Sequence, residues 1–232
     1  MPISKDRVEN ERGRFYRVPD WLLEQRGLQT DREVWLPSVS TILEIYARPG
    51  LMYWYGKMGL PEALRIRDDT ANVGTQVHAI IERIIEGERI IDPEWTSLDN
   101  RIKQGVRAYV RWIQEVEFRP LQAEQTVYSL THRYAGTLDA TGFFGPKRIF
   151  GLADWKTSAA FWMINNLQLA AYRVAYHEMY PDQERLKEIH CARFDRGTGI
   201  PEDHPLSLRE ARTAFYCFLA LRKTWDYLRK EA

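Results

Sequence analysis

Two aspartates and a lysine interrupt segments that otherwise have the apolar character of buried strands. Asp154 and Lys156 lie in the segment 148–156, and Asp139 lies in the preceding segment 134–144. Because side chains alternate along a strand, Asp154 and Lys156 share one face, and Asp139 can lie beside them on the neighbouring strand. Charges among apolar neighbours are costly unless something compensates them. A divalent cation held by the two carboxylates would do so.

The pattern around these strands predicts a mixed α/β fold, with helices followed by three antiparallel strands, a helix, a strand and a final helix. Residues before about position 35 look irregular, and Ser38 or Ser40 is expected to cap a short helix reaching Ala47, which Pro49 breaks. The remaining expected elements are helices at 51–59, from Pro61, at 70–86 and at 97–117, strands at 124–130, 134–144 and 148–156, a helix at 159–180, a strand at 186–194 and a helix at 205–230.

Composition narrows the class of protein. The chain has 232 residues, of which 44% are apolar, which suits one domain with a real core. A net charge of +1 excludes a polycation but not a local basic face. Two cysteines, Cys191 and Cys217, are too few for a four-cysteine zinc or iron–sulfur site. A polar N-terminus and the short apolar run 214–221 predict a cytoplasmic protein with no membrane partner.

The acidic pattern predicts a chemistry. Two carboxylates suit Mg²⁺ or Mn²⁺, and such a metal would activate water and neutralise the charge of a phosphate. Lys156 would orient the water and stabilise the developing negative charge. These groups are those needed to hydrolyse a phosphodiester. The alternative is a surface ion pair between Asp154 and Lys156 on an edge strand, which the triplet alone favours; the apolar setting and Asp139 bring the metal site level with it.

Three further residues have two interpretations each. His78 lies at the edge of the apolar stripe of the 70–86 helix, either as a structural histidine or as a third metal ligand. Gln168 and Tyr172 are four residues apart and share one helix face, where they bind a phosphate or base or form a polar rim.

Taken in order, these residues resemble the PD-(D/E)XK nuclease superfamily, in its RecB-like branch. That branch carries G-x-x-x-H, a glutamate, G-x-x-D, (D/E)-x-K and Q-x-x-x-Y. The segment 37–43 is also similar to the N-terminal segment of mitochondrial and phage single-strand exonucleases. The resemblance covers about residues 70–195, and the matching positions are Gly74 and His78, Glu124, Gly136 and Asp139, Asp154 and Lys156, and Gln168 and Tyr172.

The resemblance implies a restriction-endonuclease-like αβββαβ core. One nuclease domain would span 1–232, with an N-terminal helical elaboration over 1–69, the catalytic core over 70–195, and a loop and long C-terminal helix over 196–232. Some relatives carry an iron–sulfur cluster on four cysteines, which this chain lacks.

The resemblance also assigns roles. Asp139 and Asp154 would hold Mg²⁺ or Mn²⁺, with the Trp155 backbone carbonyl as a further ligand. His78 would be the additional ligand typical of the branch. Lys156 would position the attacking water. The remaining two assignments concern Gln168 and Tyr172, which would hold DNA or organise the site, and Glu124, which would support the ligands from behind or belong only to the strand.

The expected function is that of a metal-dependent DNA exonuclease acting on ends or single strands in DNA repair, recombination or phage DNA processing. A separate helicase or recombination protein is a candidate partner, and the host cytoplasm is the expected location for a phage protein. The alternatives are a structure-specific endonuclease and a non-cleaving nucleic-acid-binding module with the same fold. Closed circular DNA separates the first alternative, because a circle has no end.

Two groups of residues are candidate DNA contacts. Arg101, Arg107 and Arg111 on the 97–117 helix would track a nucleic-acid backbone. Tyr53 and Trp54 would stack on single-stranded bases. A solvated basic face and ordinary helix packing are the respective alternatives.

Overall fold

The structure is a computed structural model that describes residues 6–28, 30, 32–46 and 49–229, so the predicted helix ends at Ala47 and Lys230 lie outside the described residues. Its elements are β1 (Arg7–Asn10), β2 (Gly13–Arg17), α1 (Asp20–Gln25), β3 (Trp35–Pro37), α2 (Val39–Leu43), α3 (Pro49–Met58), α4 (Leu60–Ile85), α5 (Asp92–Ser97), α6 (Asn100–Glu115), β4 (Arg119–Ser129), β5 (Tyr134–Phe144), β6 (Ile149–Lys156), α7 (Ile164–Met179), β7 (Glu188–Phe194), β8 (Pro201–Pro205) and α8 (Leu208–Arg229).

A five-stranded mixed sheet in the order β4-β5-β6-β7-β8 forms the centre of the fold. β4, β5 and β6 form the predicted antiparallel meander. β7 pairs parallel to β6 and antiparallel to β8. A parallel pair needs a crossover connection, and α7 supplies it. The mixed α/β class predicted from the sequence is therefore confirmed.

Helices cover both faces of this sheet and create two cores. On β6, Phe150 and Leu152 belong to the core that contains residues of α7 and α8. Ala153 and Trp155 belong to the opposite core, with residues of α4 and α6. This alternation along one strand is what a sheet covered on both sides requires. None of the helices in the described part of the chain is long and apolar enough to cross a membrane.

The N-terminal region differs from the irregular or helical segment expected there. It forms a second, three-stranded antiparallel sheet in the order β1-β2-β3, with α1 between β2 and β3 and with α2 and α3 after β3. Gly13, with φ +109°, closes the tight β1–β2 connection, and Asn10 pairs with it. The strands were missed because charged residues alternate with Val8 and Phe15, so no apolar run marks them. The described residues of the segment 1–69 therefore form a mixed elaboration of strands and helices.

Two prolines stand in the first turns of helices, Pro49 in α3 and Pro61 in α4. The helix pieces expected from Pro61 and at 70–86 are one helix, α4. Pro61 is tolerated because the N–H groups of the first helical turn have no partner within the helix, so a residue without an N–H loses no hydrogen bond there. Pro49 likewise begins α3 instead of only ending α2, and α2 itself stops at Leu43. Ser38 is the residue that caps α2, since its side chain accepts the Thr41 N–H.

The expected loop between β7 and the last helix contains an edge strand, β8. Its prolines, Pro201 and Pro205, stand at the two ends, where an edge strand tolerates them. The last helix begins at Leu208 and not at 205. Ser207 and Glu210 form a capping box, with Glu210 N donating to Ser207 Oγ at 3.2 Å and Ser207 N donating to the Glu210 carboxylate at 3.1 Å.

Candidate active site

A cavity of about 780 Å³ opens beside β5 and β6, between α4, the beginning of α7 and the N-terminal sheet. All the residues that the sequence analysis placed in the metal and catalytic site line it. We use the name site cluster for the five charged or ionisable residues among them, which are His78, Glu124, Asp139, Asp154 and Lys156.

The two aspartates stand where β5 and β6 stop pairing. The last cross-strand pair before the cavity is Ala140 with Ala153, one residue short of Asp139 and Asp154. Beyond it, the Asp139 Oδ2 accepts the backbone N–H of Trp155 at 2.7 Å. A carboxylate thus replaces the strand as the partner of that N–H, and both aspartates are buried.

Lys156 forms an ion pair with the Asp154 Oδ2. Burial raises the pKa of Asp154 to about 6, although the ammonium of Lys156 opposes this effect. Burial lowers the pKa of Lys156, but the negative charges of Asp154 and Asp139 outweigh it and leave that pKa above its ordinary value. Lys156 is therefore a fixed positive charge and hydrogen-bond donor near neutral pH.

His78 reaches the cluster from α4. Its Nδ1 lies 3.4 Å from Asp139 Oδ1 and 4.0 Å from Glu124 Oε1. Burial lowers the pKa of His78, but the adjacent Asp139 carboxylate outweighs it and raises the pKa overall. Burial raises the pKa of Asp139, but the charge of His78 and its hydrogen bond outweigh burial and hold this pKa below its usual value.

Glu124 has a backbone conformation that favours glycine, with φ +47°. Its neighbours Ala123 and Gln125 pair with Ala140 and Leu138, so Glu124 stands directly across from Asp139. Such a conformation costs about 1–3 kcal/mol and persists where the surrounding structure imposes it. Burial, followed by the Asp139 charge, raises the pKa of Glu124 to about 7.

These groups can hold a divalent cation. Ligand atoms of His78, Glu124 and Asp139 lie within 4.8 Å of one another. Asp154 adds a carboxylate beside them, and Trp155, whose carbonyl was the further expected ligand, lines the same cavity. Oxygen donors with one imidazole suit Mn²⁺ and Mg²⁺. Glu124, expected behind the ligands, is thus one of the three residues with the closest metal-ligand geometry.

Gln168 and Tyr172 form a hydrogen-bonded pair on α7, with the Gln168 Nε2 donating to the Tyr172 Oη at 2.7 Å. The Tyr172 ring packs on Gly136, where a Cβ would come within 2.4 Å of it. Burial raises the pKa of Tyr172 well above its usual value, so its phenol stays protonated. Gly74 serves a similar purpose on α4, because a Cβ there would lie 2.8 Å from Thr157 Oγ1.

The five candidate DNA contacts are elsewhere, and none is among the described residues that line the cavity. Arg101 pairs with Asp69 and Asp99. Arg107 lies 5.8 Å from the centre of the Trp95 ring, and Arg111 donates to the Gly199 carbonyl at 2.9 Å. Of the two candidate aromatics on α3, Tyr53 is exposed, and Trp54 packs edge-on against Tyr55 at 5.4 Å. The structure does not bring these residues to the site cluster.

Several lining residues were missed from the sequence. Arg7, Arg14 and Tyr16 reach the cavity from the N-terminal sheet, and Glu82 reaches it from α4, one helical turn beyond His78. The signal for the first three was the alternation of charged and apolar residues around Gly13, which is typical of a hairpin with one polar face.

No protein-family model matches the chain, and no curated protein matches it. The site cluster brings three carboxylates, an imidazole and an ammonium group to this cavity, with the Tyr172 phenol and the Gln168 amide beside them. This combination can bind a divalent cation, hold an anion next to it and donate hydrogen bonds to a charged transition state.

Proposed function

We propose that this protein is a metal-dependent DNA nuclease of the PD-(D/E)XK superfamily, in its RecB-like branch, and that it acts as an exonuclease on DNA ends or single strands. The observation that carries the proposal is the convergence of Asp139, Asp154 and Lys156 with His78 and Glu124 where β5 and β6 separate. The order α4, β4–β6, α7 and β7 is compatible with the αβββαβ core of that superfamily.

The residues divide into metal ligands and groups that act on the substrate. His78, Glu124, Asp139 and Asp154, with the Trp155 carbonyl, would hold the cation. A bound Mg²⁺ or Mn²⁺ would supply charge neutralisation at the phosphodiester and activation of water. Its presence would also offset the mutual repulsion of the three carboxylates, which the charges of Lys156 and His78 only partly balance.

Lys156 acts as a hydrogen-bond donor and not as a proton acceptor. Because Asp154 and Asp139 raise its pKa, the ammonium persists at neutral pH. It orients the attacking water and stabilises negative charge that develops on the phosphate. Asp154 keeps this ammonium in place through the ion pair.

Glu124 and the α7 pair have complementary roles. With its pKa raised to about 7, Glu124 is partly protonated at neutral pH, and it would have to release that proton to act as a ligand of a cation. Tyr172 stays protonated and donates, while Gln168 presents its amide at the cavity wall. Both groups suit a phosphate or a base, so they would position the strand.

A role in DNA repair, recombination or phage DNA processing belongs to the same proposal, as does a separate helicase or recombination protein as partner. A cytoplasmic location, or the host cytoplasm for a phage protein, also remains part of it. The products expected from the family resemblance carry 5′-phosphate and 3′-hydroxyl ends.

The proposal is tested with a single-stranded DNA oligonucleotide labelled at one end and incubated with Mn²⁺, Mg²⁺ or EDTA. We expect metal-dependent shortening by the wild type and by Lys147→Ala, which removes an exposed lysine from the β5–β6 turn. Lys156→Ala should be inactive. Cleavage of a closed circle would favour the endonuclease. Retardation of the oligonucleotide on a gel without cleavage of single- or double-stranded DNA in any metal would overturn the enzyme and favour a binding module.

A further inference from the structure

The β1–β2 hairpin turns one polar face towards the cavity. Arg7 pairs with Tyr16 across the two strands, and Glu9 pairs with Arg14. Cross-strand partners share a face, and alternate residues along a strand return to it. Arg7, Arg14 and Tyr16 all line the cavity, whereas Phe15, on the other face, packs 6.3 Å from the Trp225 ring of α8.

A hydrogen bond ties this face to the strand that carries Asp139. The Tyr16 Oη lies 3.1 Å from Thr137 Oγ1, and Thr137 precedes Asp139 by two residues on β5. Thr137 and Asp139 both line the cavity. Arg7, the cross-strand neighbour of Tyr16, is therefore held at the same cavity as the site cluster.

The cations that line the cavity are not equally available. Besides His78, they are Arg7, Arg14 and Lys156. Lys156 is paired with Asp154, and Arg14 is paired with Glu9 at 3.2 Å. Arg7 has no ion pair with any of the residues that the structure describes. The neighbouring Asp6 carboxylate is directed to Arg17, which it contacts at 2.8 Å.

We propose that Arg7 binds a backbone phosphate of the single strand of DNA whose neighbouring phosphodiester lies at the site cluster. The N-terminal sheet is then a substrate-binding element. This inference rests on the proposed function, because it takes the occupant of the cavity to be a phosphodiester chain. A guanidinium matches two phosphate oxygens with two parallel N–H groups, so Arg7 is suited to a phosphate next to the one at the site cluster.

The test measures binding of a fluorescent single-stranded oligonucleotide by anisotropy, with Mn²⁺ present and with Lys156→Ala as the shared background that prevents cleavage. Adding Arg7→Ala should weaken binding about tenfold at low salt and lower the slope of log Kd against log salt by about 0.7, the value for one phosphate on a single strand. Arg7→Lys should retain most of the slope. Arg12→Ala, in the turn of the same hairpin, is the matched control and should change neither quantity.

A second measurement locates the contact. One uncharged methylphosphonate linkage is moved along the oligonucleotide, and one position should weaken binding to the background protein but not to Arg7→Ala. Equal losses in both proteins at every position, or an unchanged slope in Arg7→Ala, would overturn the inference. A background protein that binds no DNA would overturn it as well. Wild-type protein that binds DNA but cleaves it in no metal would instead refute the proposed function, and the binding arms would still decide the role of Arg7.

Thermal unfolding of each variant separates this contact from a loss of structure, because β1 is an edge strand and its residues contribute to the N-terminal sheet. Arg7→Ala and Arg12→Ala should unfold at the same temperature. If only Arg7→Ala unfolded at a lower temperature, the Arg7→Lys variant would separate the two roles. Lysine keeps the positive charge that a phosphate contact needs, whereas a purely structural role does not depend on that charge.

Discussion

In the part of the chain that the structure describes, two clusters place a histidine between two carboxylates, and one of these two lines the 780 Å³ cavity. The second, the His190 cluster, consists of Trp112, Glu188, His190 and Asp203. Its two histidine nitrogens face different carboxylates, Nδ1 at 2.9 Å from Asp203 and Nε2 at 3.4 Å from Glu188. The Trp112 indole also donates to Asp203 at 2.8 Å.

In the site cluster, by contrast, two carboxylates approach the same nitrogen. Asp139 and Glu124 both face the Nδ1 of His78, and Asp154 lies beside them with Lys156. Each nitrogen of His190 thus has its own carboxylate, whereas the site cluster gathers three carboxylates around one imidazole and one ammonium group. Carboxylates held this close repel one another, and a bound cation would offset that repulsion.

The largest expected difference is in catalysis. Asp154→Asn removes a proposed metal ligand and the partner of Lys156, and we expect it to lower the hydrolysis rate by about 10²–10³-fold. Asp203→Asn in the His190 cluster should leave the rate within about twofold of wild type, because the Asp203 carboxylate contacts none of the five residues of the site cluster. Initial rates on the same end-labelled oligonucleotide measure both. Equal loss of activity in the two variants would break the distinction.

For stability, we expect substitution in the His190 cluster to have a larger effect than substitution in the site cluster. Asp203→Ala leaves the buried Trp112 indole and His190 without their acceptor, and we expect it to lower the free energy of unfolding by about 2–4 kcal/mol. Asp154→Asn should lower it by less in EDTA, since that carboxylate is itself costly to bury. Urea unfolding followed by tryptophan fluorescence measures both. A larger loss for Asp154→Asn would assign the structural role to the site cluster instead.

Strand alternation was sufficient to place Asp154 and Lys156 together and to put Asp139 beside them, because these relations are local or involve neighbouring strands. Glu124 was harder, since its position depends on a left-handed backbone and on the register of β4 against β5. Neither property has a signature in the local sequence.

The N-terminal sheet and the arginines of α6 show a second reason why the sequence alone did not predict every residue at the cavity. Arg7 reaches the cavity from a sheet whose Tyr16 bonds to Thr137, 121 residues away in sequence. Arg101 looked available on α6, but Asp69 lies near it only in the folded chain. Long-range pairing decides which charges are free to bind a ligand, and one sequence contains no direct record of it.

Metal binding should distinguish the clusters with a smaller effect. Mn²⁺ at roughly thirty times its Kd should stabilise the wild type by about 2 kcal/mol, because it binds the folded chain and offsets the carboxylate repulsion. Glu124→Gln should reduce this gain, while His190→Gln should keep it even though the variant starts from a lower unfolding temperature. Thermal unfolding with and without Mn²⁺ gives the two differences. A gain that survives Glu124→Gln but vanishes in His190→Gln would place the metal in the wrong cluster.

The smallest expected effect is a pH dependence in EDTA. The pKa of Glu124 rises from 4.5 to about 7 on folding, so the folded chain holds that proton more tightly than the unfolded chain. The resulting stabilisation is complete below pH 4.5 and is lost as the pH rises to about 7. Because 34% of the side chain is exposed, solvent screens the effect, and we expect about 1 kcal/mol. Glu124→Gln should flatten this part of the stability profile, whereas Glu188→Gln in the His190 cluster should leave it unchanged. If stability changed with pH between 5 and 7 in the same way in the wild type and in Glu124→Gln, the prediction would be wrong. The pKa of Glu124 would then not rise on folding.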